Sequence, residues 1–152
     1  NDAELGYTIF DRAPLQSAQF IGARGTHTRF QSARLPLADF TKAMLISPNF
    51  SDSYALDATF KNAQLIQANF TGATLTGVSF EGANLEGASL ANVIDPFAIR
   101  NIKGALVANL KDAPEGFVEW ALEKGATLDS DNYIDSLKAE DPSYFFLVSQ
   151  YK

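Results

Sequence analysis

From Ala58 to Leu90 the chain repeats one grammar: a small residue, a polar residue, a Leu or Phe, then two mostly polar residues or glycines. Leu or Phe stands at every fifth position from Leu5 to Leu90, and only Gly25 and Ala55 interrupt the series. Two positions earlier Ala dominates, with Thr8, Thr28, Pro48, Ser53 and Val78 filling the remaining places. A five-residue period fits neither a helical face, which recurs at three and four residues, nor a strand face, which recurs at two. Each unit reads instead as one short side of a coil that then turns a corner. The large residue points inward, and so does the small one, at the corner where bulk has no room. The other three positions face water, and successive coils close backbone hydrogen bonds with one another, as solenoids do. Leu and Phe alternate, a ten-residue period compatible with two or four sides.

Units of the form Ala-Asn-Leu/Phe-x-x, as at Ala68-Asn69-Phe70 and Ala83-Asn84-Leu85, resemble the pentapeptide-repeat family over residues 3–94. The resemblance implies a right-handed, four-sided β-helix with about twenty residues per coil. In that frame Phe10, Phe30, Phe50 and Phe70 form one column, Phe20, Phe40, Phe60 and Phe80 the opposite one, and leucines line the sides between. The expected fold class is thus an all-β solenoid over residues 1–110 with a small C-terminal α-helical cap over 111–152.

Irregular units mark candidate surfaces. Gly25 leaves an inward vacancy, which a bulge or Ile21 turning inward would fill. The only histidine, His27, follows it, either in a binding notch or in a defective repeat. Arg24, Arg29 and Arg34 precede three consecutive inward positions, so they belt three sides of the second coil, with Asp39 on the fourth. Such a belt could grip an acidic partner or a phosphate or stand as a solvated ring. In the stretch Met44–Leu56 apolar residues occupy outward positions. Met44, Ile46, Tyr54 and Leu56, with Ile66 one coil beyond, form the expected partner contact, because clustered exposed apolar groups mark interaction sites. Leu56 is expected to slide into the vacancy at Ala55. Asn49 and Asn69 match a glycosylation sequon, but on this register they stack as an asparagine ladder. Gly72, Gly77, Gly82 and Gly87 occupy corners, where positive φ is needed.

The repeat fails at Asp95-Pro96 and returns briefly at Ala108-Asn109-Leu110. Helical grammar follows. Asp112-Ala113-Pro114-Glu115 predicts a helix start and Gly125 its stop. A second helix is predicted over Asn132–Ala139. A third segment begins at Asp141-Pro142, as helix or strand. Phe117, Trp120 and Ala121 share one helical face and are the expected lid on the last coil.

Charge and chemistry narrow the function. The chain has 152 residues, a formal net charge of −6, one histidine and no cysteine. The acidic balance argues against nonspecific nucleic-acid binding. The absence of cysteine removes disulfide and zinc-cysteine chemistry. Asp129, Asp131, Asp135 and Glu140 fit an EF-hand-like frame, but Tyr133 replaces a ligand and Ile134 stands where the turn needs glycine; helix capping is the competing role. With no nucleophile–base set and no phosphate loop, the chain reads as non-catalytic, with no cofactor and no metal. No apolar run spans a bilayer. Entry into register at Ala3 fits a mature or trimmed product.

The expected function is a rigid interaction or scaffold protein, binding protein partners as an accessory or assembly subunit of a larger complex. The family resemblance adds a thylakoid-lumenal or cyanobacterial setting. Its alternative is a DNA-mimicking gyrase-binding protein of the quinolone-resistance type. Against that alternative, outward positions of residues 21–48 are more basic than acidic, and the acids gather in the tail.

Overall fold

The computed structural model describes residues 1–150. Its backbone is a stack of coils. Parallel bridges join residues twenty apart: Glu4 to Arg24, Ile9 to Arg29, Pro14 to Arg34 and Gln19 to Asp39, and onward down the chain. Four five-residue sides therefore make one coil. We number the sides by their inward columns, the first through Leu5, the second through Phe10, the third through Leu15 and the fourth through Phe20. Among the described residues only β1 (Arg24–Thr26) and β2 (Met44–Ile46), paired in register on the first side, are long enough to be strands. Elsewhere each side is a single bridge between corners.

The hydrogen bonds explain the five-residue grammar. On each side the inward residue donates to the coil below, as Phe30 N–H does to Asn49 O at 2.7 Å. The residue before it donates to the coil above, as Asn49 N–H does to Thr28 O at 2.9 Å. A corner bond closes from the small residue to the preceding inward one, Ala33 N–H to Phe30 O at 3.0 Å. The residue just after the inward position lacks a backbone acceptor in this scheme. Its N–H is taken by the side chain two residues back: Asn49 and Asn69 each accept at 3.0 Å from Ser51 and Thr71, and Asp39 accepts from Thr41 at 2.8 Å. Asn or Asp before the inward residue is thus a corner cap. Asn49 and Asn69 are stacked, as expected, but each bonds its own corner rather than its neighbour in a ladder.

Corner residues take positive φ whether or not they are glycine. Gly72 and Gly77 have φ of 68° and 69°, and Leu37 and Asp57 hold 60° and 55° at equivalent corners. Inside, the Phe columns are as the register requires. Phe30, Phe50 and Phe70 stack at 4.8 and 5.1 Å, Phe20, Phe40 and Phe60 at 4.7 and 4.8 Å, and the two columns meet edge to face at about 5.4 Å. Such edge-to-face contacts suit the aromatic quadrupole.

Gly25 needs no bulge and no help from Ile21. It stays in register opposite Leu45, while Ile21 remains half-buried. A β-carbon there would lie 2.6 Å from Thr28 Oγ1 and 2.9 Å from the Leu5 carbonyl carbon. The expected vacancy is filled by Thr28, whose hydroxyl donates to Leu5 O at 2.8 Å, and by the backbone above. Restoring the repeat's own residue should therefore do harm. Gly25→Leu is expected to destabilise by about 1–3 kcal/mol through overpacking against backbone, read as a lower urea midpoint. A variant as stable as the parent would mean the site can open. Ala55 is likewise fully buried, but Leu56 stays half-buried outside rather than sliding in.

Below Leu90 the register shifts. A 3₁₀ turn at Pro96–Ala98 inserts two residues, so Ser79 bridges Asn101 and Ser89 bridges Lys111. Ala108–Leu110 lies in this added partial coil. The tail then forms α1 (Phe117–Glu123), α2 (Ser130–Glu140) and α3 (Pro142–Gln150). The third segment is thus helix rather than strand. The predicted start of α1 at Asp112 is displaced: Asp112 has φ 50°, and Gly116, at φ 75°, precedes the first helical residue. Gly125 ends the helix at φ 92°, and the chain then rejoins the solenoid, Thr127 pairing with Leu106. Gly125-Ala126-Thr127-Leu128 repeats the letters of Gly72-Ala73-Thr74-Leu75, a signal that the helical reading of the tail passed over.

The two ends of the solenoid differ. Phe117 and Ala121 belong to the solenoid's core cluster, Trp120 packs partly buried against it, and Leu85, Leu90 and Ile102 beneath the last coils are 1% exposed. At the other end Ala3 is exposed, and Phe10 and Leu15 are only half-buried.

Candidate interaction surfaces

The first side is covered by the protein itself. Its outward column runs Glu4, Arg24, Met44, Gln64, Asn84 and Leu106. Helices α2 and α3 pack on it through Tyr133, Leu137 and Tyr144, which bury Met44 and Leu106. Amphipathic spacing drives this docking: Tyr133 and Leu137 are four apart on one helical face. Asp129 caps α2 by accepting from Asp131 and Asn132 N–H, so the acids of the EF-hand-like frame include a helix cap. No group of three or more metal-ligating side chains occurs among the described residues.

Polar anchors fix the helices. The Gln64 amide donates to the Tyr133 hydroxyl at 2.9 Å, which donates to Gly82 O at 3.1 Å, and Asn84 donates to Gln64 at 3.1 Å. The Tyr144 hydroxyl donates to Asn62 O at 2.6 Å. Lys42 and Asp141 pair at 2.6 Å. The Lys42 hydrogen bond, with the Tyr144 N–H beside it, holds the Asp141 carboxyl below the usual range. Burial pushes the Tyr133 hydroxyl up to about 12, although the Gln64 bond opposes this. Burial raises Tyr144 as well.

A tyrosine raised in the folded state contributes stability fully below the unfolded value near 10 and loses it as pH rises through the folded value. The anchoring of α2 to the solenoid should therefore weaken between pH 10 and about 12. Ultraviolet titration is expected to show late tyrosinate formation from both buried tyrosines, of which Tyr133→Phe removes the component near pH 12 and leaves that of Tyr144. A titration unchanged by that substitution would assign the late step elsewhere.

The expected contact patch is not one surface. Met44 is 2% exposed beneath the tail, and Ile46 and Ile66 are half-buried beside it. Tyr54 and Leu56 belong to the third side, two corners away, because Tyr54 pairs with Arg34 and Thr74. Periodicity placed all five residues outward correctly, but it carries no information on which side the tail would cover. The third side stays open: Tyr54 is 40% and Ile94 51% exposed in one column, with Leu37 57% exposed at a corner beside it.

The arginine belt does occupy three successive sides, and for that reason it does not converge. Arg24 lies on the first side, where it lines a cleft with Lys42, Met44 and Tyr144. Its Nε is buried without a hydrogen bond. Arg29 pairs with Asp11 on the second side, and Arg34 is exposed on the third. His27 is exposed at a corner, φ 53°, with its ring 5.5 Å from that of Tyr7. Phe117, Trp120 and Ala121 lie together on α1, with the rings of Phe117 and Trp120 5.6 Å apart.

Comparison with known proteins places this architecture. The pentapeptide repeats family matches residues 57–92 in eight copies. No curated protein sequence matches the chain. Among solved structures, a pentapeptide repeat protein from the Arabidopsis thaliana thylakoid lumen is similar at 25% identity and a TM-score of 0.67, covering 80% of this chain and 87% of that one. The pentapeptide repeat protein Rfr23 from the cyanobacterium Cyanothece 51142 matches at 25% identity and 0.47, over 51% and 52%. QnrB1, a plasmid-mediated fluoroquinolone resistance protein, matches at 21% identity and 0.43, over 70% and 57%. Twenty-residue coils with four inward columns, together with similarity to pentapeptide repeat proteins, imply a right-handed β-helix. The repeats at residues 57–92 match the pentapeptide repeats family, and the coils are similar to those of a solved pentapeptide repeat protein.

Proposed function

We propose that the chain is a non-catalytic interaction scaffold, an accessory or assembly subunit that presents one rigid β-helical side to a protein partner. The observation that carries this is the asymmetry of the sides. The first is occupied by the chain's own helices, and the third, opposite it, is open and carries Tyr54, Ile94 and Leu37 exposed. Aromatic and apolar groups on a flat, stiff face suit macromolecular contact at little conformational cost. Similarity to a lumenal pentapeptide-repeat protein supports a thylakoid-lumenal or cyanobacterial setting.

Charge speaks against the gyrase-binding DNA mimic. Residues 1–110 hold nine carboxylates against eight cations, whereas residues 111–152 hold nine against four. A solenoid so nearly neutral lacks the dense negative field of a duplex.

The test is capture from an extract of the source organism. Tyr54→Asp with Ile94→Asp should leave the fold intact and reduce recovery of the main partner at least about tenfold, as loss of central contacts would. A folded double variant that recovers the same partner in the same amount would move the contact off the third side. Inhibition of gyrase supercoiling by stoichiometric protein would favour the mimic instead.

A further inference from the structure

Between α2, α3 and the first side lies an apolar cleft of about 360 Å³. Its walls are Ile46 and Ile66 from the solenoid, Ile134 and Leu137 from α2, and Phe145 and Val148 from α3. We propose that this cleft is a binding site for an uncharged aromatic small molecule of about two fused rings.

Three features define that ligand. The first is the state of the polar floor. Gln64 and Asn84 line the cleft, but the Gln64 amide donates to Tyr133, its oxygen accepts from Asn84, and the Asn84 oxygen accepts from Glu86 N–H. These bonds occupy both amide oxygens and give each amide nitrogen a partner, so an apolar occupant leaves neither side chain unpaired. A polar group set against the apolar walls would lose its water without replacement.

The second is size. An apolar cavity of about 150 Å³ stays dry and accepts benzene. A cleft of about 360 Å³, partly open to solvent, suits roughly twice that volume, and the Phe145 ring offers an aromatic neighbour.

The third is charge. Among the described residues the one ionisable group at the cleft besides Tyr133 is Glu86, and no cation lines it. A carboxylate ligand would therefore meet repulsion from Glu86, while the Lys138 ammonium, 5.9 Å from the Phe145 ring centroid, stands outside the lining.

Occupancy also has a mechanical consequence. Among the described residues backbone pairing between tail and coils ends at Thr127, and the backbone bonds beyond it are local to the helices. The α2–α3 pair is held only by side chains, and the cleft is a packing gap within that contact. A molecule filling it would bind the docked helices and stabilise them by linkage.

The probe is indole, with indole-3-carboxylate as its charged counterpart, measured by calorimetry and by amide hydrogen exchange on the full chain. Indole should bind saturably and slow exchange in α2 and α3 by about threefold or more near saturation. The carboxylate should bind about tenfold more weakly. Val148→Trp, filling the cleft from α3, and Ile66→Trp, filling it from the solenoid, should each abolish indole binding. Far-ultraviolet circular dichroism and exchange without ligand report whether the helices remain docked in each variant. Absence of saturable indole binding would overturn the proposal. So would equal affinity for the carboxylate, or undiminished binding by either filled variant with its helices docked.

Discussion

Phe50→Ala should destabilise the protein by about 3–5 kcal/mol, the range for deleting a buried aromatic side chain. Phe50 is fully buried. Its ring stacks on Phe30 at 4.8 Å and Phe70 at 5.1 Å, and it meets Phe40 and Phe60 edge to face at 5.4 and 5.3 Å. The coil around it is tied above and below by backbone bonds, Phe50 N–H to Asn69 O at 2.7 Å and Phe30 N–H to Asn49 O at 2.7 Å. That ladder cannot collapse into the space a missing ring leaves, so the cavity persists and the loss falls toward the upper end of the range. Phe10→Ala gives the contrast. Phe10 has a neighbour on only one face of its column, Phe30 at 5.0 Å, and lies half-buried at the open end. Its loss should come to about half as much or less, since less apolar area returns to water. Urea unfolding of both variants measures the difference. A Phe50→Ala loss below about 1 kcal/mol, or equal losses at the two sites, would contradict a rigid stack.

This contrast also marks how far the sequence could be read. The inward columns, the Phe pairing across twenty residues and the positive-φ corners all follow from local chemistry repeated every five residues. Each repeat states its own geometry, so a single register suffices. What repetition cannot encode is the position of anything outside the repeat. Met44 looks outward by register and is outward, yet it is buried, because Tyr144 and Tyr133 arrive from roughly ninety residues further along. The same blindness joined Tyr54 to Met44 in one expected patch, although they sit on opposite sides of the coil. Gly25 is the converse case. The repeat implied an empty space, but the compensating group, Thr28, stands at a position the repeat reserves for small residues, where periodicity does not state that its hydroxyl reaches Leu5 O. The tyrosine anchors were legible only as apolar content of predicted helices. Their hydroxyl bonds to Gly82 and Asn62 carbonyls depend on the helices lying along the flank, which helical periodicity does not state.

The tail itself yields the second large effect. Truncation after Leu110 should produce oligomers or aggregate that the full chain does not form, whereas truncation after Leu128 should not. The first cut removes α1 and the rung at Thr127. It exposes Phe80, Leu85, Leu90 and Ile102, each now about 1% exposed, and leaves the edge from Gly104 to Val107 without the bonds it makes to Gly125 and Thr127. An open coil edge with an apolar centre invites another coil, and solenoids generally need such ends closed. Burial of Phe117 alone stabilises by roughly 2–3 kcal/mol on area, which that cut forfeits. The second cut leaves α1 and the last rung in place and removes only α2 and α3. It uncovers Met44 and Leu106 on the flank, where a side with its backbone already paired offers no edge to a neighbour. That protein should remain monomeric and fold, losing only the contribution of the side-chain anchors. Size-exclusion chromatography with light scattering separates the outcomes. If the shorter chain stayed monomeric and melted like the full one, α1 would be an appendage with no closing role. If both truncations aggregated alike, the flank helices rather than α1 would be what keeps the molecules apart.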